Sequence, residues 1–387
     1  MSHQQKKKLL MIPGPTNVPE RVLYAMTKPM INHRGEEFHE LYKNIQEKAR
    51  KVFETEQNIL VLSSSGTGGV EAAISNIVKK GDNVIVPVFG EFSRRVAEYV
   101  KLIGGNAICV KAPLGSAPSF EEIKAKAEET RDIKAFCIVY NDTSPGTKIN
   151  WLSKVASIAS DFNAFTIVDA VSILAGDDLP MDKWNIDIVV SASQKCLAAP
   201  PGLAILGISE KAAKYIAENK VHTDYFNLAK YIEYSSLRKE TPYTPAVPLF
   251  YALDEALNVV LEEGLQNRIQ RHRATAKAFY ESLEAIGLKP FVNPEVRSNT
   301  VISFKYPNNI DDKKFRKNLE EKFGVVIAGG FGELKGKIFR IGNMGEVNKY
   351  HVLITLTAIF SSLSDFDFKI KNEEEVIHNA RRTLEAI

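Results

Sequence analysis

The chain has 387 residues, of which 44% are hydrophobic and 25% charged, the balance of an ordinary globular protein rather than a disordered or fibrous one. Its formal net charge of +3 is too small to argue for nucleic acid or an anionic membrane surface as partner. No apolar run approaches the ~20 residues of a membrane-spanning helix, and the polar, basic start before Pro13-Gly14-Pro15 lacks the pattern of a signal peptide. Cys109, Cys137 and Cys196 are scattered with no CxxC spacing, so neither a disulfide framework nor a cysteine-based metal site is expected, and a reducing cytoplasm is the expected compartment.

In chain order, near-continuous apolar runs predict strands at 59–63, 83–88, 106–110, 135–140, 164–168, 187–191 and 203–208. Such runs fit parallel strands covered by helices on both faces. Helix-like segments at 69–78, 92–103, 120–129 and 152–161 alternate with them. The alternation predicts an α/β large domain with a mainly parallel, doubly wound sheet. A long helical stretch at 248–286, bent near Gly264, leads to a smaller α+β C-terminal domain. That domain has strands at 300–304 and 337–341 and helices at 312–323, 345–361 and 373–385. The expected division is an N-terminal arm (1–19), a large domain (20–263) and a small domain (264–387).

Ligands in open α/β sheets bind beyond the carboxyl ends of the strands. Four such ends here carry polar groups: Ser63-Ser64-Ser65-Gly66-Thr67-Gly68-Gly69, Asn141 to Gly146, Asp169-Ala170-Val171, and Ser193-Gln194-Lys195. Ser65, Gly66 and Thr67 open a helix, where backbone N–H groups and the helix dipole suit a phosphate; a plain helix cap reads the same way. The loop is neither a Walker A motif, since no GK[ST] follows, nor GxGxxG. Asp169, after a strongly apolar strand, calls for a cation or a protonated ring beside it, or else caps a turn. Lys195 enters an apolar, proline-rich turn, where partial desolvation would make its amine nucleophilic; the alternative is an ordinary surface lysine.

Together, Ser193-Gln194-Lys195 with the following Pro200-Pro201-Gly202, the Asp169-Ala170-Val171 turn, the Asp142-Thr143-Ser144-Pro145-Gly146 loop and the Ser65-Gly66-Thr67 cup resemble the class V, fold-type I aminotransferases. The likeness is greatest to alanine–glyoxylate and serine–pyruvate aminotransferases. It runs from Pro13-Gly14-Pro15-Thr16-Asn17 to Phe339-Arg340-Ile341-Gly342. The resemblance implies pyridoxal 5'-phosphate as cofactor, with Lys195 as its Schiff-base lysine and Asp169 paired with the pyridine nitrogen. It places Val171 and Phe92 on the two ring faces, Thr143 at the ring hydroxyl, and Ser65, Gly66, Thr67 and Gln194 at the phosphate. Phe92 stands where some relatives have tryptophan, and Thr67 where many have histidine. Arg340 would clamp the substrate carboxylate near Gly14.

The resemblance further implies a homodimer with shared sites, in which Thr241 and Thr244 reach the partner's phosphate. Expected substrates are a small amino acid, serine or alanine, and a keto acid, pyruvate or glyoxylate. A 2-aminoethylphosphonate–pyruvate aminotransferase is the alternative. A cysteine desulfurase would need a catalytic cysteine late in the chain, and none follows Cys196. A nicotinamide dehydrogenase would show GxGxxG, and a non-catalytic module of this fold would be expected to lose Lys195 or Asp169. His33 and Arg34 match the family but carry no assigned role, and no metal constellation is expected.

Overall fold

The predicted apolar strands join into one seven-stranded sheet in the order Asn58–Leu62, Ala204–Ile208, Ile188–Ala192, Phe165–Asp169, Ile133–Val139, Asn83–Val88 and Asn106–Lys111. This computed structural model describes residues 8–221 and 223–385, so residues 1–7 of the expected arm lie outside the described residues. Along each strand the side chains alternate between two buried layers. Leu60, Leu62, Val84 and Val86 enter one core and Ile59, Val61 and Ile85 the other. Burial on both faces is why the runs read as continuously apolar. Helices Gly66–Ile77 and Glu91–Leu102 cover one layer. Helices Glu36–Phe53, Phe120–Glu129, Leu152–Asp161 and Val247–Glu263 cover the other.

The run at 203–208 departs from the parallel expectation: Ala204–Ile208 is antiparallel to both neighbours. A parallel partner needs a crossover of a dozen or more residues, usually a helix. Here residues 193–203 form turns without a helix, so the chain re-enters the sheet running backwards. That return presents Lys195 at the same edge as Asp169.

Leu9–Met11 and Val325–Gly329 complete a second, four-stranded sheet with Ile338–Gly342 and Val301–Lys305. The N-terminal segment thus pairs in parallel with a strand far along the chain. Helices Leu265–Ala285, Asp312–Phe323, Lys349–Asp365 and Glu373–Leu384 pack a separate core on this sheet. The expected long helix is two helices, broken at Gly264 with φ +83°. The helix expected from 345 begins at Lys349, because Gly345 has φ +74° and Asn348 accepts from the N–H groups of Tyr350 and His351 as a cap. The helix expected from 69 begins earlier, at Gly66, because the Ser65 side chain accepts from the Gly68 N–H. Among the described residues, no helix is long and apolar enough to cross a membrane.

Phe38 is fully buried, 5.5 Å from the Phe250 ring and stacked on Tyr42. Phe38→Ala is expected to cost about 3–5 kcal/mol through the cavity it leaves; a lowered urea midpoint with an unchanged m-value checks this.

Candidate active site

Lys195 sits in the turn that follows Ile188–Ala192, and that turn is fixed by its own groups. The Ser193 hydroxyl donates to the Pro200 carbonyl at 2.7 Å, and the Ala198 N–H donates to the Lys195 carbonyl at 2.9 Å. The segment 13–16 grips it from outside. The Thr16 N–H donates to the Gln194 carbonyl at 3.1 Å, its hydroxyl donates to the Lys195 carbonyl at 3.2 Å, and the Lys195 amine donates to the Pro13 carbonyl. Gly14 has φ +89°, and a Cβ there would fall 2.6 Å from the Lys195 side chain, so only glycine allows the approach. Burial, helped by the positive Arg340, pulls the Lys195 amine down to about 8, against the opposing pull of Asp169.

Asp169 ends its strand with one carboxylate oxygen accepting from the Val171 N–H at 3.0 Å. Burial, with the charge of Asp142 nearby, pushes it up to about 6, while Lys195 and Arg95 pull the other way. Any cation placed against it would restore the carboxylate. Opposite, Gly66 opens the capped helix, and a Cβ there would meet Val171 at 2.8 Å and Ala192 at 2.9 Å. The close approach keeps the helix N-terminus tight against the strand ends.

Ser65, Gly66, Thr67, Phe92, Thr143, Asp169, Val171, Gln194 and Lys195 all line one pocket. Arg340 stands beside it: its guanidinium donates to the Thr143 carbonyl at 2.7 Å and to the Gly329 carbonyl at 2.8 Å. Burial lowers Arg340 to about 10, which leaves it cationic at neutral pH. Thr241 and Thr244 do not line the pocket of their own chain. The Thr241 hydroxyl donates to the Tyr243 carbonyl at 2.7 Å, and Thr244 is exposed. Arg34 fastens that segment, donating to Glu240 and the Thr241 carbonyl, both at 2.6 Å, and to the Pro242 carbonyl at 3.1 Å.

The sequence reading missed Arg95, Val96 and Tyr99, which line the pocket from the same helix as Phe92. Their spacing of three, four and seven residues from Phe92 is the available signal, since it places them on one helix face. It also missed the part played by Asp142. This buried carboxylate accepts from the Ser93 N–H at 2.8 Å, the Ser93 hydroxyl at 3.0 Å and the Ser144 hydroxyl at 2.7 Å. It thereby ties the start of the Phe92 helix to the Thr143 loop. Among the described residues no cluster of His, Cys, Asp and Glu is placed to hold a metal ion.

Residues 9–333 match the family model for aminotransferase class-V. The chain is 46% identical over 366 residues to an uncharacterized aminotransferase of Methanocaldococcus jannaschii, covering 94% of this chain and 95% of the relative. It is 33% identical over 372 residues to a serine–glyoxylate aminotransferase of Methylorubrum extorquens, covering 93% and 92%. The crystal structure of a ureidoglycine–glyoxylate aminotransferase from Bacillus subtilis superposes with a TM-score of 0.93 at 28% identity, covering all of both chains.

An amine titrating at about 8 is half unprotonated at that pH, whereas an ordinary lysine near ~10.4 is under about 1% so. In protein first freed of any cofactor bound to it, raising the pH through 8 should therefore increase the labelling of Lys195 by trinitrobenzenesulfonate ahead of the other lysines, as peptide mass spectrometry would read. Labelling of Lys195 in step with the bulk lysines would contradict this.

Proposed function

The chain belongs to the class-V aminotransferases, and from that membership we propose that it is a pyridoxal 5'-phosphate enzyme moving the amine of a small L-amino acid to a small 2-keto acid. One observation carries the reading: a nucleophilic amine, a carboxylate and an uncharged helix N-terminus converge on one pocket from separate strand ends. The residues fit the cofactor. Among the described residues Asp169 lines the pocket without a cation bonded to it, and Gln194 lines it with an amide whose N–H groups can donate to an anion. Lys195 would hold the cofactor covalently and Asp169 would face its pyridine nitrogen. Phe92 and Val171 would cover the ring and Thr143 its hydroxyl. Ser65, Gly66, Thr67 and Gln194 would take the phosphate. Thr244, exposed and outside the lining of its own chain's pocket, supports a homodimer in which each chain completes its partner's site, whereas Thr241 is buried with its hydroxyl on the Tyr243 carbonyl.

When bound, pyridoxal phosphate supplies an electron sink for the charge left as the substrate Cα loses its proton. Asp169, as a carboxylate, holds the positive charge on the pyridine nitrogen that this sink requires. Lys195, once its amine is free, would take the proton from the substrate Cα and deliver it to the cofactor carbon C4′, on the far side of the shared nitrogen; an amine near 8 is matched to that task at neutral pH. Arg340 stays cationic and offers a planar fork to the substrate carboxylate, with Gly14 leaving space beside Lys195. The donor departs as its keto acid before the acceptor enters, so the kinetics are ping-pong.

Glyoxylate is the acceptor named for both the Methylorubrum relative and the Bacillus structure, while their donors differ. This supports glyoxylate ahead of pyruvate here, with serine or alanine as donor. Desulfuration is disfavoured because Cys196 is buried and burial pushes its thiol up to about 12. Three free cysteines also suit a reducing cytoplasm.

The purified protein should show a visible cofactor band that bleaches with L-serine or L-alanine and returns with glyoxylate. Lys195→Ala should lack both the band and turnover. Asp169→Asn should lose about a hundredfold or more in kcat, the scale for removing one preorganised electrostatic partner. Arg340→Lys should mainly raise KM for both carboxylate substrates. Turnover with 2-aminoethylphosphonate and none with serine or alanine would reverse the substrate assignment.

A further inference from the structure

The residues expected at the phosphate, Ser65, Gly66, Thr67, Gln194, Thr241 and Thr244, are all uncharged. A phosphate monoester carries about −1.5 to −2 charge at neutral pH. A helix N-terminus offsets only about half a unit of that. A cup built from these groups alone leaves most of a buried anion uncompensated, an arrangement that low-dielectric pockets do not favour. Within one chain, a compensating cation would come from a residue that lines the same pocket and is not already paired with a carboxylate.

Arg95 meets both conditions. It lines the pocket, and its guanidinium nitrogen stands 3.5 Å from the Thr67 hydroxyl in the cup. The guanidinium also lies 5.0 Å from the centre of the Phe92 ring, three residues back on the same helix, and this stacking holds the head group in the pocket. Its neighbour Arg94 points away and pairs with Glu91 and Glu98. Among the described residues Arg95 forms no ion pair, although Asp169 and Tyr99 both feel its charge. Arg340 is not among the residues that line the pocket, and Lys195 is the residue expected to bond the other end of the cofactor.

We propose that Arg95 is a phosphate-binding residue, supplying the positive charge that the otherwise neutral cup lacks. This rests on the pyridoxal-phosphate reading and extends it to a residue outside the motifs named above. Arginine suits the position because its planar fork can take two phosphate oxygens while its face stays on the Phe92 ring. Lysine would keep the charge without the fork or the stack.

The test compares two aldehydes that differ only in the phosphate. The full-length wild type, Arg95→Met and Arg95→Lys, each freed of bound cofactor, are titrated with pyridoxal phosphate and with pyridoxal, following the visible absorbance. Arg95→Met is expected to weaken pyridoxal phosphate by about 10- to 100-fold, the scale of one charge-assisted contact. Pyridoxal binding should stay nearly unchanged, so the preference for the phosphorylated form collapses. Arg95→Lys should recover part of that preference, and it decides the matter if Arg95→Met does not fold. Inorganic phosphate should compete with pyridoxal phosphate in the wild type and lose most of its potency in Arg95→Met. If both aldehydes weaken equally, or neither does, Arg95 merely packs on Phe92 and the proposal is overturned. A wild type that takes up neither aldehyde overturns the cofactor reading, and the proposal with it.

Discussion

An amine and a carboxylate held in one desolvated pocket are the constraint on which this architecture turns. Burial disfavours charge on both Lys195 and Asp169, and each opposes that shift in the other. Neither group would be tolerated there as inert packing, because a buried charge is costly unless a partner or a ligand meets it. Both also sit on backbone that allows little drift. Asp169 closes a central strand, and Lys195 rides on a helix-free return between two strands of the same sheet.

The turn that carries Lys195 is gripped by segments from distant parts of the chain. Residues 13–16 hold it from one side. From the other, the fully buried Arg268 donates to the Cys196 carbonyl at 2.9 Å and pairs with Glu263 at 2.6 Å and Glu346 at 3.1 Å. Arg268 belongs to the helix that packs on the second sheet, so the lysine turn is tied to both cores. Arg268 is fully buried while both glutamates keep some exposure, so the arginine's charge depends on these partners. The Asp142 hub plays the corresponding part for Phe92 and Thr143, joining two loop ends through hydroxyl and N–H donors, with no lysine or arginine bonded to it among the described residues.

The strands were legible in the sequence because burial on both faces leaves a continuous apolar run, and the ends of those runs pointed to Asp169 and Lys195. Strand direction was not legible in the same way. An apolar run does not encode it, and the antiparallel course of Ala204–Ile208 follows from the missing crossover helix. Leu9–Met11 escaped notice because three residues carry no period and their partner strand lies at the far end of the chain. Arg95 and Tyr99 were hidden for a different reason. On an amphipathic helix their spacing from Phe92 reads as ordinary core or rim, and only the fold shows that this face looks into a pocket. Thr241 and Thr244 form no part of that pocket within one chain.

The proposed function makes Lys195 the residue to which pyridoxal phosphate becomes attached. Borohydride reduction of the protein after incubation with the cofactor, followed by peptide mass spectrometry, tests it directly. A stable phosphopyridoxyl label is expected on Lys195, stoichiometric with the chain and absent from Lys195→Ala. A label on another lysine, or one spread over the surface lysines while Lys195 stays unmodified, would contradict it.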